Sequence, residues 1–69
     1  MKSKILLDFA KRVREERTKL GLSQEEFAHK VKVHRTYVGM IERAEKNITL
    51  ENMNKIAKAL NLEVKDLLD

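Results

Sequence analysis

The sequence predicts an all-α fold of five helices, and three observations carry that prediction. Among 69 residues there is no proline and only two glycines, while the helix-favouring Leu, Ile, Lys, Glu and Ala are abundant. Apolar residues recur at three- and four-residue steps, the spacing of one helix face. Hydrophobic staples, pairs of apolar residues that flank a helix start, stand at Leu22/Phe27, Ile48/Met53 and Leu62/Leu67.

Length, charge and composition bound the rest. The chain is long enough for one domain, spanning 1–69, with no room for a second core. A domain of this size is marginal by itself, and without cysteine it has no disulfide, so self-association is the expected extra source of stability. Two histidines without paired ligand spacing exclude a structural zinc site, and no cofactor is expected. The first residues, MKSKILLDFAKR, hold too few apolar side chains for a signal peptide or a membrane span, which predicts a soluble, cytoplasmic protein with no membrane partner. Residues 1–46 carry 12 Lys/Arg against 7 Asp/Glu and residues 47–69 carry 3 against 4, which together give the net charge of +4. The positive field therefore lies on the first two thirds of the chain; it suits a polyanionic partner and equally fits a solvated mixed-charge surface.

The first helix is expected over 4–19, with Leu6, Phe9, Ala10, Val13, Arg17 and Leu20 on its core face. Gly21 ends it as a left-handed residue. Arg17 is the anomaly, because a charge on an apolar face needs a buried partner or a route to solvent along its stem. The second helix starts at Ser23, the N-cap, with Glu26 at the third helical position to complete a capping box. Gln24 stands in the first turn, where backbone N–H groups and the helix dipole suit a phosphate; a merely capped helix end reads the same way.

Val31-Lys32-Val33 forms the corner, valines inward and Lys32 taking positive φ, where a side chain with a Cβ is disfavoured. The third helix is expected over 34–44. Val38 and Ile41 face inward, Arg35, Thr36, Gly39, Met40 and Arg43 lie on the opposite arc, and Tyr37 stands at its border. Gly39 costs about 1 kcal/mol relative to Ala inside a helix, which calls for a compensating close approach, either of a DNA backbone or of the second helix. Two short helices meeting at a tight corner over 24–43, the second with a polar and cationic free face, follow the helix-turn-helix plan for entering a major groove.

Beyond the loop 45–47, Thr49 caps a fourth helix whose inward positions are Leu50, Met53, Ile56, Ala57 and Leu60, and Asn61 ends it. A short fifth helix covers about 64–68. Val64, Leu67 and Leu68 offer more apolar surface than so short an element easily buries, so they are expected to divide between closing the core and a dimer contact. Residues 49–68 are thus read as serving both core and dimerisation.

The strings GLSQEEFA, VHRTYVGMIERAEKNITLENMNKIAKAL and NLEVKDLL resemble the lambda-repressor-like, Xre/Cro-type helix-turn-helix family over residues 9–68. Within that family, HRTYVGMIERAEKNITL is most similar to the controller proteins of restriction–modification systems. The resemblance implies a five-helix lambda-repressor-like DNA-binding domain. It pairs Arg17 with Glu42 and lets the arginine also present an N–H to phosphate. It implies that Gln24 grips the DNA backbone, that His34, Arg35, Thr36 and Met40 read bases, and that Tyr37, Arg43, Lys46 and Asn47 contact phosphates. Many members of the family have glycine where this chain has Lys32.

Residue chemistry points the same way without closing every alternative. Arginine reads guanine through O6 and N7, and Arg35 projects from the turn that would enter the groove. Thr36 can bond a base edge or pack on a thymine methyl. Met40 also suits packing, His34 a helix cap, Tyr37 a core position with its hydroxyl at the rim, and Arg43 and Lys46 a solvated face. His29 and His34 stand with neither nucleophile nor metal partners, so an enzyme is not expected. The expectation is a homodimeric transcription regulator on a palindromic operator, with double-stranded DNA and a second copy as partners, responding to its own concentration. For a controller protein that implies switching its own gene and the endonuclease gene from activation to repression, with RNA polymerase a further candidate partner. A phage or plasmid repressor, or an autoregulating antitoxin, is the alternative within this class. A protein–protein adaptor that keeps the fold would show acidic or apolar residues where this chain has Arg35, Thr36 and Arg43.

Overall fold

The computed structural model, which describes residues 3–45 and 47–68, contains α1 (Lys4–Lys19), α2 (Gln24–Val31), α3 (Arg35–Glu42), α4 (Leu50–Ala59) and α5 (Val64–Leu68), and no strand among those residues. Local hydrogen bonds start each helix. Ser3 Oγ accepts the Leu6 N–H at 3.2 Å, and Thr49 Oγ1 accepts the Asn52 N–H at 3.1 Å. The α2 box is reciprocal: Ser23 Oγ accepts from the Glu26 N–H at 3.0 Å, and the Glu26 carboxylate accepts from the Ser23 N–H at 2.8 Å. The Ser23 backbone N–H first, and the Ser23 hydroxyl beside it second, hold the Glu26 carboxyl below the usual carboxylate range. His34 caps α3 in an uncommon way, its Nδ1 accepting the Thr36 N–H at 3.1 Å. At α5 the Glu63 N–H donates to Asp66 Oδ2 at 2.9 Å.

The helices α1 to α4 all end on one device, a left-handed residue flanked by two crossed backbone bonds. Gly21 (φ 71), Lys32 (φ 70), Ala44 (φ 55) and Asn61 (φ 61) take the left-handed position. At the corner, the Lys32 N–H donates to His29 O at 3.2 Å and the Val33 N–H to Ala28 O at 2.9 Å, and the same pattern recurs at the other three ends. Gly21, Lys32 and Asn61 are flagged by the sequence; Ala44 is not. A Cβ at such a φ costs roughly 1–2 kcal/mol, and Ala44 offsets this by burying its methyl.

The core joins Phe9 and Val13 of α1, Phe27, Ala28 and Val31 of α2, Val38 and Ile41 of α3, Ile56, Ala57 and Leu60 of α4, and Leu67 of α5. Helix α2 lies on α3 and α4, while α1 lies against α3 and α5. Each fully buried side chain of this size contributes about 1.5–3 kcal/mol by leaving water, so this cluster holds α3 where one face stays free.

Three apolar positions correct the sequence reading. Leu20 is exposed rather than inward, because α1 ends there and the chain turns away through Gly21. Leu50 is 77 % exposed, since the first residue of α4 projects past the edge of the core. Leu67, a candidate dimer contact, is fully buried in its own domain and has no surface left to offer a second copy.

Candidate nucleic-acid interface

Helix α3 is braced from behind by a network centred on Glu42, its last residue. Arg17 Nε donates to Glu42 Oε2 at 2.7 Å and Arg17 Nη2 to Glu42 Oε1 at 3.0 Å, a two-pronged pair with side chains only 13 % and 4 % exposed. Arg17 Nη1 donates to Leu22 O at 2.8 Å, and Gln24 Nε2 to Glu42 Oε1 at 3.1 Å. A carboxylate at a helix C-terminus is unfavourable against the dipole, so Arg17 compensates a charge that α3 by itself would not hold. One arginine from α1 thereby fixes the entry to α2 and the end of α3 together. Three of its five N–H groups are occupied, so Arg17 is first a brace, with two donors left. The bond to Glu42 likewise orients the amide of Gln24, which keeps one N–H and its carbonyl for another partner.

On the free side of α3, Arg35 and Thr36 are exposed and Met40 is half-buried. Arg35 Nη1 lies 3.5 Å from Glu25 Oε2, across the mouth between α2 and α3. Because His34 accepts through Nδ1, its ring N–H is on Nε2. Tyr37 is half-buried and its hydroxyl accepts from Asn52 Nδ2 at 2.8 Å, which anchors α3 to α4 and leaves the phenolic proton to donate.

Arg43 caps the C-terminus of α3 and donates from Nε to Glu45 at 2.9 Å. That hydrogen bond, and then the charge of Glu45, raise the guanidinium pKa above its ordinary value. The Arg43 side chain folds back over Gly39, where an added Cβ would stand 3.0 Å from Nη1. The compensating contact for Gly39 is therefore a side chain of its own helix rather than α2. Asn47 is exposed beyond the loop, and Lys46 lies outside the described residues.

Three partners are missing from the sequence reading: Glu25, which faces Arg35, Glu45, which accepts from Arg43, and Asn52, which holds Tyr37. Glu25 sits beside the capping Glu26, so its charge reads as ordinary helix-start chemistry. Asn52 is separated from Tyr37 by the rest of α3 and the whole loop to α4, and no spacing rule joins them. Among the described residues there is no cluster of His, Cys, Asp or Glu suited to a metal ion, and no helix is long and apolar enough to cross a membrane.

Fold and face together define a transcription regulator of the helix-turn-helix class. The helix-turn-helix family matches residues 13–67. Control protein C.BamHI of Bacillus amyloliquefaciens is 46% identical over 70 aligned positions, covering 100% of this chain and 86% of that protein. The restriction-modification controller protein C.AhdI from Aeromonas hydrophila superposes with a TM-score of 0.86 at 45% identity, over 90% of this chain and 94% of that one. SinR, a master regulator for biofilm formation solved in complex with DNA, superposes with a TM-score of 0.83 at 31% identity, over 88% of this chain and 98% of that one. The chain belongs to the helix-turn-helix family of DNA-binding regulators and, within it, to the restriction–modification control proteins.

Proposed function

We propose that the chain binds a two-fold symmetric operator as a homodimer and so controls its own gene and that of a restriction endonuclease, acting in the cytoplasm. One α3 enters the major groove of each half-site, with centres about 34–36 Å apart or a multiple of this. Arg35 and Thr36 read base edges, with His34 and Met40 at the margin of that contact. Gln24, Tyr37, Arg43, Lys46 and Asn47 hold phosphates, and Arg17 adds an N–H behind Gln24. The observation that supports this best is the Arg17–Glu42–Gln24 brace: it stiffens α3 from its core side while Arg35 and Thr36 stay exposed.

The dimer contact is proposed at a groove of about 400 Å³ lined by Ile5, Leu6, Phe9, Ile48, Leu50, Met53 and Leu68 together with Ser3 and Asn47. Leu50, Ile5 and Leu68 are exposed on its rim, so one surface carries both a protrusion and a recess. A two-fold interface has to be self-complementary, and this arrangement would let the protrusion of one copy enter the recess of the other. Val64, one helical turn before Leu68, packs half-buried against the core and does not line the groove.

Selection of duplexes from a random pool, followed by footprinting, tests the reading. Two inverted half-sites are expected, and a single asymmetric site would sink the dimeric form. Sedimentation of Leu50→Glu and Leu68→Glu is expected to show monomers with weakened binding to the selected duplex; a dimer that survives both changes removes the groove from the interface. Run-off transcription at rising protein concentration separates activation, which requires RNA polymerase as a partner, from plain repression of a phage or antitoxin type.

A further inference from the structure

We propose that Glu25 is a specificity-determining residue: it holds the Arg35 guanidinium in the base-reading orientation and opposes its use as a phosphate contact. The proposal rests on the reading of Arg35 as a base reader. Glu25 is the second residue of α2 and Arg35 the first of α3, so the pair spans the mouth between the two helices. Around it lies a shallow depression lined by Ala28, His29, Val33 and His34.

Three features separate Glu25 from an ordinary acid at a helix start. The capping bonds of α2 are made by Ser23 and Glu26, so the Glu25 carboxylate is not needed to close the helix. It stands beside the leading arginine of a face that also carries Arg43, where a surface built only to attract phosphates gains nothing from a negative charge. And its contact engages Nη1 of Arg35 alone. A guanidinium has five N–H groups in one plane, and a guanine takes two of them. Glu25 and a guanine can therefore be held at once, each on a different edge of the fork. A phosphate cannot share the arginine in this way without bringing two anions together. In a complex on the wrong sequence, Arg35 either leaves Glu25 for a phosphate or stays unpaired with DNA. On the right sequence it keeps both partners.

The pair is exposed, its side chains 69 % and 75 % accessible, so its influence is modest, about three- to fivefold. Wild type, Glu25→Gln, Arg35→Ala and the double variant are titrated against a duplex selected by the wild-type chain and against a scrambled duplex of equal length, over a range of salt. Glu25→Gln is expected to tighten binding to the scrambled duplex three- to fivefold without tightening the selected one, and to steepen the salt dependence on scrambled DNA by about one counterion. In the Arg35→Ala background the same change is expected to act equally on both duplexes. Equal tightening of both by Glu25→Gln alone would reduce Glu25 to a repelling charge and overturn the proposal. Should Arg35→Ala itself weaken both duplexes equally, the base-reading role of Arg35 falls and the proposal with it, an outcome seen in a separate arm. Melting curves confirm folding, which an exposed Glu→Gln change leaves in place.

Discussion

Two of the Arg–Glu pairs share one chemistry in opposite surroundings, Arg17–Glu42 behind α3 and Arg35–Glu25 in front of it. Arg17–Glu42 is two-pronged, at 2.7 and 3.0 Å, and nearly closed to water; Arg35–Glu25 has one contact at 3.5 Å with both side chains in solvent. Behind α3, the low local dielectric makes the pair strong only while it is complete, because either charge left unpaired there keeps its desolvation penalty. In front, water and salt weaken the attraction to the point where DNA can compete for the arginine. The first pair therefore sets where α3 stands, and the second, on the proposal above, sets what its leading side chain does. Burial, not residue type, divides the two roles.

The largest effect that can break this comparison is on the buried pair. Arg17→Ala is expected to destabilise the fold by about 3 kcal/mol, leaving Glu42 uncompensated, and to weaken DNA binding as Gln24 loses its orientation. Urea unfolding measures the first part, and a loss no larger than that of an exposed charge would show that Glu42 finds water instead. Next in size, Arg35→Ala is expected to cost about 1–3 kcal/mol on the selected duplex and to relax preference at one base pair, with stability unchanged within about 0.5 kcal/mol. A melt shifted as far as that of Arg17→Ala would abolish the contrast between the two pairs. Smallest is Arg43→Ala, where a uniform loss on every sequence and a salt slope lower by about one unit are expected. If the slope stays put in fluorescence titrations, Arg43 is held by Glu45 even on DNA and leaves the phosphate set.

The helices themselves were legible to within a residue or two because their signals are local. Ser23, Glu26 and Phe27 stand within one turn of the α2 start, and Gly21 and Asn61 announce the ends they form. Ala44 was illegible for the opposite reason: a left-handed alanine has no sequence mark, and only its burial compensates the strain. Periodicity placed Leu50 on the core side of α4 correctly as a direction, but a direction does not say whether the core extends that far. In the candidate site, the exposure of Arg35 and Thr36 on α3 followed from spacing, whereas the Glu42 partner of Arg17 came through family resemblance and the Tyr37–Asn52 bond through neither.

Taken by itself, the sequence determined the five helices, the caps at Ser23 and Thr49, the corner at Lys32 and the side of α3 that carries Arg35 and Thr36, since each depends on residues no more than about a turn apart. Only the tertiary structure decided that Glu25 meets Arg35, that Leu67 belongs to the core while Leu50 stands in solvent, and that Arg43 lies over Gly39. These depend on how deeply each side chain sits and on what the packed helices bring beside it. Depth is a property of the assembled core, which no local spacing contains.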